Sequence, residues 1–369
     1  MNRIFFLQSK FPANEAALFD LLGRWENYGK NVRLLSADSR ISVIALGRSN
    51  DRISPAFFTH KFESIELFDS SYISSHRVFP VISKMRRIPS GITLVCSDNQ
   101  KSLLTALLLK IFVGTKLKIQ IQFHGDTYSF RFNKGVRGFI RVVLSRLGIL
   151  FSNSIRIVSN FQKEEIREIF PKALDRFVVA PIPMDYSRIA APAADKTIDL
   201  AFIGRLHHER GISELINILK LTRTEYPGIK IAIAGDGPSR QLIENKLSYL
   251  IRDGSLSLLG HLSGESIQDL YSKSKVLISP APREGYGLTI REAAMSGVYV
   301  IARLSKGSLD AQRSFPDSIK TYETTVDAVE SILNAVKIQE NYFNSVKIEM
   351  QKQIDSDATR GLVTSWLCA

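Results

Sequence analysis

The second half of the chain alternates short apolar runs with helical patterns, and this alternation limits the possible folds more than any other feature. Each run holds five or six residues, and a stretch with helical periodicity follows it. Strands and helices that alternate at this spacing form right-handed βαβ crossovers and a parallel, doubly wound sheet. The first half shows the same rhythm less regularly, with a helix predicted over 72–85. The predicted strands of the second half are 198–203, 229–234, 255–259, 275–279 and 298–302.

The length of the chain indicates two domains, because one hydrophobic core seldom grows beyond about 250 to 300 residues and this chain has 369. Residues 189–195 are rich in Ala and Pro, as linkers commonly are. We therefore predict an α/β protein of two Rossmann-like, doubly wound domains, 1–188 and 196–354, that face each other across a cleft. An amphipathic helix is predicted over 359–369.

The segment between the last two predicted strands has the most informative pattern for function. Glu284 begins a glycine-containing loop, and Glu292 lies more than one turn into the helix that follows. Glycines let a backbone turn tightly and approach a ligand, and the N–H groups at a helix start suit a phosphate. The two glutamates can reach different parts of one ligand whose phosphates lie between them. This arrangement suits a sugar nucleotide. The candidate donor-binding residues between them are Gly285, Tyr286, Gly287, Leu288 and Thr289.

Glu284 and Glu292, eight positions apart around Glu-Gly-Tyr-Gly-Leu, resemble the signature of the retaining glycosyltransferases of the GT-B fold, usually called glycosyltransferase family 4. The resemblance covers most of the chain and is clearest from Leu200 to Ala302. It implies that Glu292 binds the donor ribose and that Glu284, as a catalytic residue, holds hydroxyls of the transferred sugar. It also implies that the last helix, within 355–369, packs back onto the first domain.

Two arginines follow the first strand of the second domain. Gly204 and Arg205 come directly after that strand, and Arg210 opens the next helix. In the family that these residues resemble, an arginine and usually a lysine at these places hold the donor diphosphate, and Arg210 keeps that charge on a planar fork of donors. These groups would stabilise the departing phosphate without a metal ion, so no metal or other cofactor is expected. The Asp355-Ser-Asp357 run has the form of a metal-binding Asp-x-Asp but does not follow an apolar strand, and we expect it to cap a helix.

His124 follows a strand predicted over 118–123 in the first half. Ligands of open α/β sheets bind beyond the carboxyl ends of the strands. The run His124-Gly125-Asp126 also resembles the segment of the family whose histidine faces the cleft beside the transferred sugar. The resemblance therefore implies a catalytic role for His124. Asp126 is open to two interpretations, a site residue or a cap for the next turn.

The net charge of +13 is concentrated in the first half. Residues 1–200 hold 29 Lys and Arg against 17 Asp and Glu, and a predicted helix over 134–151 aligns Lys134, Arg137 and Arg141 on one stripe. Such a field attracts polyanions. The region has no helix-turn-helix, zinc-finger or aromatic RNA-binding pattern, so nucleic acid is not an expected partner. An anionic membrane surface or a lipid phosphate fits better, and a basic surface that only aids solubility is the alternative.

Three features bear on location. The two cysteines, Cys96 and Cys368, are too few for a disulfide framework, and the apolar run at the N-terminus is too short for a signal peptide. The most apolar stretches fall short of the roughly 20 residues that a membrane span needs. We therefore expect a cytoplasmic protein, soluble or peripheral on the inner face of the cell membrane.

The combined interpretation is a metal-independent retaining glycosyltransferase that moves a sugar from a UDP or GDP sugar to a cell-envelope glycan: lipopolysaccharide, exopolysaccharide or a lipid-linked oligosaccharide. Two alternatives stay open. One is a soluble transferase that makes a small glycoside. The other is a non-catalytic, sugar-nucleotide-binding partner of another glycosyltransferase, because this chain has Phe-Pro-Ala-Asn-Glu at 11–15 where relatives commonly have a glycine-rich loop.

Overall fold

The computed structural model divides the chain into two compact units. One comprises Met1–Pro181 together with Asp355–Ala369, and the other comprises Ile182–Ile354. The residues that the structure describes are 3–9, 11, 15–46, 61–73, 78–89, 91–98, 100–124, 127–130, 135–182, 184, 186, 189–262, 264–337 and 345–368.

The N-terminal unit contains a seven-stranded parallel sheet with the strand order β3-β2-β1-β4-β5-β6-β7. Its strands are β1 (Arg3–Gln8), β2 (Arg40–Leu46), β3 (Ile65–Ile73), β4 (Ile92–Cys96), β5 (Leu117–Phe123), β6 (Ser154–Ile157) and β7 (Phe177–Val179). Its helices are α1 (Glu15–Leu35), α2 (Val78–Arg86), α3 (Lys101–Val113), α4 (Gly135–Phe151) and α5 (Asn160–Ile169), and a 3-10 helix, Pro171–Arg176, precedes β7.

Helices cover both faces of this sheet because its central strands are apolar on both sides. Successive residues of β1 point to opposite faces, so that Phe5 enters one core and Phe6 the other. The core around Phe5 is completed by α2, α3, α4 and α5. The core around Phe6 is completed by α1 and by Trp366, near the end of the chain.

The C-terminal unit contains a six-stranded parallel sheet with the order β10-β9-β8-β11-β12-β13. Its strands are β8 (Ile198–Ile203), β9 (Ile231–Ala234), β10 (Leu256–Gly260), β11 (Ser274–Ser279), β12 (Tyr299–Arg303) and β13 (Ile319–Tyr322). Its helices are α6 (Ile212–Glu225), α7 (Arg240–Lys246), α8 (Ser248–Arg252), α9 (Glu265–Lys273), α10 (Leu288–Met295), α11 (Lys306–Ser314) and α12 (Thr325–Lys337), with a 3-10 turn at His208–Arg210. The prediction of two doubly wound parallel sheets is confirmed.

The last helix, α13 (Ser345–Cys368), passes from the C-terminal unit into the N-terminal unit. It begins earlier than the helix predicted over 359–369. Asp355 and Asp357 therefore lie inside a helix rather than at its cap, and Asp355 is buried. Among the helices that the structure describes, none has the length and apolar content needed to cross a bilayer.

The helix predicted over 72–85 is wrong at its start. Tyr72 and Ile73 belong to β3, where they pair with Ala45 and Leu46 of β2 after an irregularity in the register. The helix α2 begins only at Val78, and 74–77 lie outside the described residues. Pairing with β2 outweighs the local helical pattern. Without it, the backbone N–H and C=O groups along the buried edge of β2 would have no hydrogen-bond partners. The strand β13 is not among the strands predicted from the sequence, because its two central residues are not buried.

Candidate functional site

The order of the C-terminal sheet reverses between β8 and β11, which are neighbours in the sheet but not in the chain. Ligands of open α/β sheets bind beyond the carboxyl ends of the strands at such a point. The chain after β8 carries Gly204, Arg205 and Arg210, and the chain after β11 carries the segment from Glu284 to Glu292. All the predicted donor-binding residues therefore follow two neighbouring strands of one sheet.

A single glycine lets the two loops approach each other. The turn that carries Arg210 ends at Gly211, whose backbone is left-handed with φ 72°. A Cβ atom added to Gly211 would lie 2.1 Å from the carbonyl oxygen of Pro280, the residue that follows β11. Only glycine allows this separation. The close approach lets Arg210 reach Glu284, with 2.9 Å between Nη1 and Oε2.

Glu284 is held by several donors in largely dry surroundings. Its side chain is 14% exposed. Its carboxylate accepts hydrogen bonds from the side chain of Arg210 and from the backbone N–H groups of Gly285 and Gly287. Burial raises the pKa of Glu284 above its ordinary value, although Arg210 and the hydrogen bonds oppose the shift. The carboxylate is thus oriented by groups of the protein.

The helix α10 begins immediately after this loop. Gly287 adopts the left-handed conformation, φ 75°, and its carbonyl accepts the first helical bond from Arg291 N–H at 3.0 Å. Leu288 and Thr289 form the first turn and are partly exposed. Because first-turn N–H groups have no acceptor within their own helix, this end of α10 suits an anionic ligand.

Three other predicted donor-binding residues differ in their accessibility. Arg205 is exposed. Glu292 is 5% exposed, and its Oε2 accepts a hydrogen bond of 3.1 Å from the hydroxyl of Tyr271, in α9. Tyr286 is buried, with its ring 4.3 Å from the guanidinium carbon of Arg291. A ligand at this loop would therefore meet the backbone of Tyr286 rather than its ring.

Arg291 is a supporting residue that the sequence analysis missed. It is 2% exposed, and its Nε donates to the carbonyl of Tyr286 at 3.1 Å. Its Nη2 donates to Asp310 Oδ2 at 2.7 Å and its Nη1 to Ser314 Oγ at 2.9 Å, so that it joins the loop to α11. A charged residue among the apolar positions of α10 is the only local signal, because its partners lie 19 and 23 positions further along the chain.

The start of α11 holds the loop from a second direction. The N–H of Gly307 donates to the carbonyl of Glu284 at 3.0 Å, and a Cβ on Gly307 would lie 2.1 Å from that oxygen. Ser305 and Ser308 form a capping box that fixes this helix start. The sequence predicts no role for 305–310, but Gly307 of this segment lies against the backbone of Glu284.

In the N-terminal unit, His124 directly follows β5. Desolvation by the surrounding protein, followed by the charges of Arg156 and Arg24, lowers the pKa of the imidazole far below its usual 6.5. The ring is therefore neutral at physiological pH. Asp126 lies outside the described residues.

A polar network that the sequence analysis did not assign lies where the N-terminal sheet reverses, after β1 and β4. Asp98 accepts hydrogen bonds from the hydroxyls of Ser9 and Ser102, the latter at 2.7 Å, and from Gln100 N–H at 2.8 Å. Burial alone would raise the pKa of Asp98, but these hydrogen bonds lower it below its ordinary value. The network ties the ends of the two strands together.

One group of potential metal ligands occurs in the part of the chain that the structure describes. The ligand atoms of His207, His208 and Glu209 lie within 4.8 Å of one another, beside Arg210. His207 Nδ1 already accepts a hydrogen bond from Glu209 N–H, and the other two residues are exposed. The expectation of metal-independent chemistry has to be tested at this turn.

Residues 186–342 match the protein family described as glycosyl transferases group 1. Among curated relatives, the O-antigen chain mannosyltransferase B of Escherichia coli is 29% identical over 164 residues, which are 40% of this chain and 42% of that protein. The chain spans less than half the length of the curated relatives it matches.

Solved structures resemble the whole chain. The lipopolysaccharide outer core galactosyltransferase WaaB has a TM-score of 0.70 at 15% identity, covering 100% of this chain and 99% of that one. HepE of Anabaena, solved in complex with UDP-glucose, has a TM-score of 0.69 at 12% identity and covers 99% of each chain. At these identities the likeness is one of fold.

Proposed function

Since residues 186–342 belong to the glycosyl transferases group 1 family and the whole chain has the GT-B fold, we propose that this protein is a retaining glycosyltransferase. Its donor would be a nucleotide-diphosphate sugar, and its acceptor a cell-envelope glycan. The observation that carries the proposal is the Arg210–Glu284 pair, which two loops bring together at the reversal point of the C-terminal sheet. A cation and an oriented carboxylate at this place suit a diphosphate and the hydroxyls of a sugar.

The proposed chemistry uses charges that develop during transfer. As the sugar leaves the diphosphate, the anomeric carbon becomes more positive and the departing phosphate more negative. Arg205, Arg210 and the N–H groups at the start of α10 would stabilise the departing phosphate. Glu292 would hold the ribose and Glu284 the transferred sugar. His124, as a neutral donor or acceptor, would contact that sugar.

The acceptor belongs to the proposal as well. A mannosyltransferase that acts on the O-antigen chain is among the relatives, and a lipopolysaccharide galactosyltransferase shares the fold. The proposed acceptor is carried on lipid, because the excess of basic residues in the first half suits an anionic membrane. We therefore propose that the protein is cytoplasmic and peripheral on the inner face of the cell membrane.

Thermal unfolding in the presence of nucleotides tests the donor site. UDP, GDP and their common sugar conjugates are screened, and one nucleotide class at about 100 times its dissociation constant should add about 2.7 kcal/mol to the free energy of unfolding. Glu292→Gln should reduce the shift, whereas Glu330→Gln, an exposed glutamate of α12, should leave it unchanged. If no nucleotide stabilises the wild type, the donor site does not exist.

Turnover separates the enzyme from a non-catalytic binding partner. The stabilising nucleotide sugar is incubated with candidate glycan acceptors, with and without EDTA. Transfer that EDTA leaves unchanged is the expected result. Activity restored only by a divalent cation would contradict metal independence. The group of His207, His208 and Glu209 would then be the candidate site for that cation. Donor binding without any transfer would favour the binding partner.

A further inference from the structure

The outer sides of α2, α3 and α4 carry an unusual number of exposed apolar residues. In α3, four of the five exposed residues are Leu, Ile or Phe. Ile111 of α3 is 76% exposed, Phe79 of α2 70% and Phe139 of α4 57%. In α12 of the other unit, by contrast, the exposed residues are Val326, Asp327, Glu330, Asn334 and Lys337. A helix that only covers a sheet normally has a polar outer side like that of α12.

The three helices form one continuous face, because they lie side by side on the same core. The rings of Phe79 in α2 and Phe112 in α3 are 6.3 Å apart. Lys110 of α3 donates to Asn153, just after α4, at 3.0 Å. Close packing between α3 and α4 continues at Gly148, where a Cβ would lie 3.0 Å from Leu103. We call the outer side of these three helices the basic apolar face.

The charge of this face has one sign. The helices α2, α3 and α4 contain no Asp or Glu, and they contain seven basic residues. Arg137 and Arg141 of α4 are exposed on either side of Phe139 and Ile140. Arg146 lies with its guanidinium carbon 4.6 Å from the ring of Phe130, which is itself 5.6 Å from the ring of Phe139. On α4, exposed apolar side chains therefore alternate with basic ones.

We propose that the basic apolar face docks onto an anionic lipid bilayer. Its apolar side chains would enter the boundary between headgroups and acyl chains, and its Lys and Arg side chains would contact lipid phosphates. A second copy of the chain fits poorly, because two such faces would bring only positive charges together. The biological reason for this docking rests on the proposed function, because the protein must reach a lipid-carried acceptor at the membrane.

Insertion and electrostatic attraction differ in their salt dependence, and the test uses this difference. The full-length protein is floated with vesicles of phosphatidylcholine, with or without about 30% phosphatidylglycerol, at low salt and at about 0.5 M NaCl. The wild type should bind the anionic vesicles and keep part of its binding at high salt. Phe139→Ser with Ile140→Ser should lower the bound-to-free ratio at least tenfold at both salt concentrations.

A matched control replaces two exposed leucines on the opposite side of the sheet. Leu34 and Leu35 of α1 are exposed, and α1 packs on the other core. Leu34→Ser with Leu35→Ser should leave vesicle binding unchanged. An equal loss in this control would overturn the proposal, as would wild-type binding that vanishes at high salt, or no binding at all. A wild-type dimer in solution that the Phe139 and Ile140 changes dissociate would also overturn it and assign the face to a second copy.

The nucleotide-induced thermal shift is measured on every variant. The residues proposed to produce it belong to the C-terminal unit, so it should be the same in all of them. Vesicle binding without a shift in the wild type would reject the proposed function alone. A shift without vesicle binding would reject the docking face alone.

Discussion

Glu284 combines two requirements that oppose each other at the scale of a single residue. The role proposed for Glu284 needs a carboxylate that can hold hydroxyl groups, but the burial of Glu284 disfavours the charged form. Arg210 and two backbone N–H groups compensate only in part, because the pKa of Glu284 remains raised. A site residue of this kind lowers the stability of the fold that holds it.

Replacement of Glu284 should therefore affect stability and activity in opposite directions. The pKa of Glu284 lies above its ordinary 4.5 in the folded chain, so the free energy of unfolding falls as the pH rises through that window and stays lower above it. Glu284→Gln removes this ionisation, and Arg210 is exposed enough to be solvated by water. We expect a higher melting temperature than the wild type at pH 8, no difference below pH 4.5, and transfer slowed about 100-fold. Melting curves across this pH range check the prediction, and a less stable variant at pH 8 would contradict it.

Arg291 should act through the loop that it supports. Arg291→Met leaves Asp310 and the carbonyl of Tyr286 without their charged partner. We expect the free energy of unfolding of the C-terminal unit to fall by about 3 kcal/mol. This value is at the lower end of the range for a broken buried ion pair, because Asp310 is partly solvated. Urea unfolding measures the loss, with Arg252→Met, at an exposed arginine of α8, as the control. Equal stability of the two variants would show that the buried pair contributes nothing.

At the scale of elements, the site is an arrangement of helix starts around one loop. Through Gly211, the turn after β8 approaches Pro280 at the start of this loop, and through Gly307, α11 approaches Glu284. Both contacts are between backbones, where no side chain can adjust. The position of the Glu284 loop is thus set by how closely two neighbouring elements approach it.

Gly307→Ala should displace this loop. The new methyl group would lie 2.1 Å from the carbonyl oxygen of Glu284, so backbone atoms must move. We expect a loss of about 1 to 3 kcal/mol in stability and weaker binding of the donor. Gly361→Ala is the control, because Gly361 also lies in a helix but has nothing within 4 Å of the added atom. It should be neutral or stabilising by about 0.5 to 1 kcal/mol. Calorimetric titration with the donor would contradict the prediction if Gly307→Ala bound as tightly as the wild type.

At the scale of the whole molecule, the chain completes its N-terminal unit with residues from its far end. Trp366 is fully buried, with its ring 5.3 Å from those of Phe6 and Tyr28. Its indole N–H donates to Gln120, and its carbonyl accepts from Thr93 at 2.9 Å. One core of the N-terminal unit is therefore incomplete without the end of α13.

Trp366→Ala should destabilise the N-terminal unit and leave the proposed donor site of the C-terminal unit unchanged. Removal of the indole leaves a cavity and an unsatisfied Gln120, at a cost of about 3 to 5 kcal/mol. Unfolding followed by calorimetry should show this loss, while the nucleotide-induced shift of the C-terminal unit should persist. Met350→Ala, an exposed position of the same helix, should change neither quantity. Loss of the nucleotide shift in Trp366→Ala would contradict this independence.

The class of fold and the loops at which a site could form follow from local patterns in the sequence. Alternating apolar runs lead to parallel sheets, because period and length are local properties of the chain. The glycines and acids after 279 are local in the same sense. Only the tertiary structure decided that Arg210 meets Glu284, that Arg291 meets Asp310 and that β3 extends to Ile73. Each of these depends on the packing of residues or strands that are distant in the chain, and no local pattern encodes such a distance.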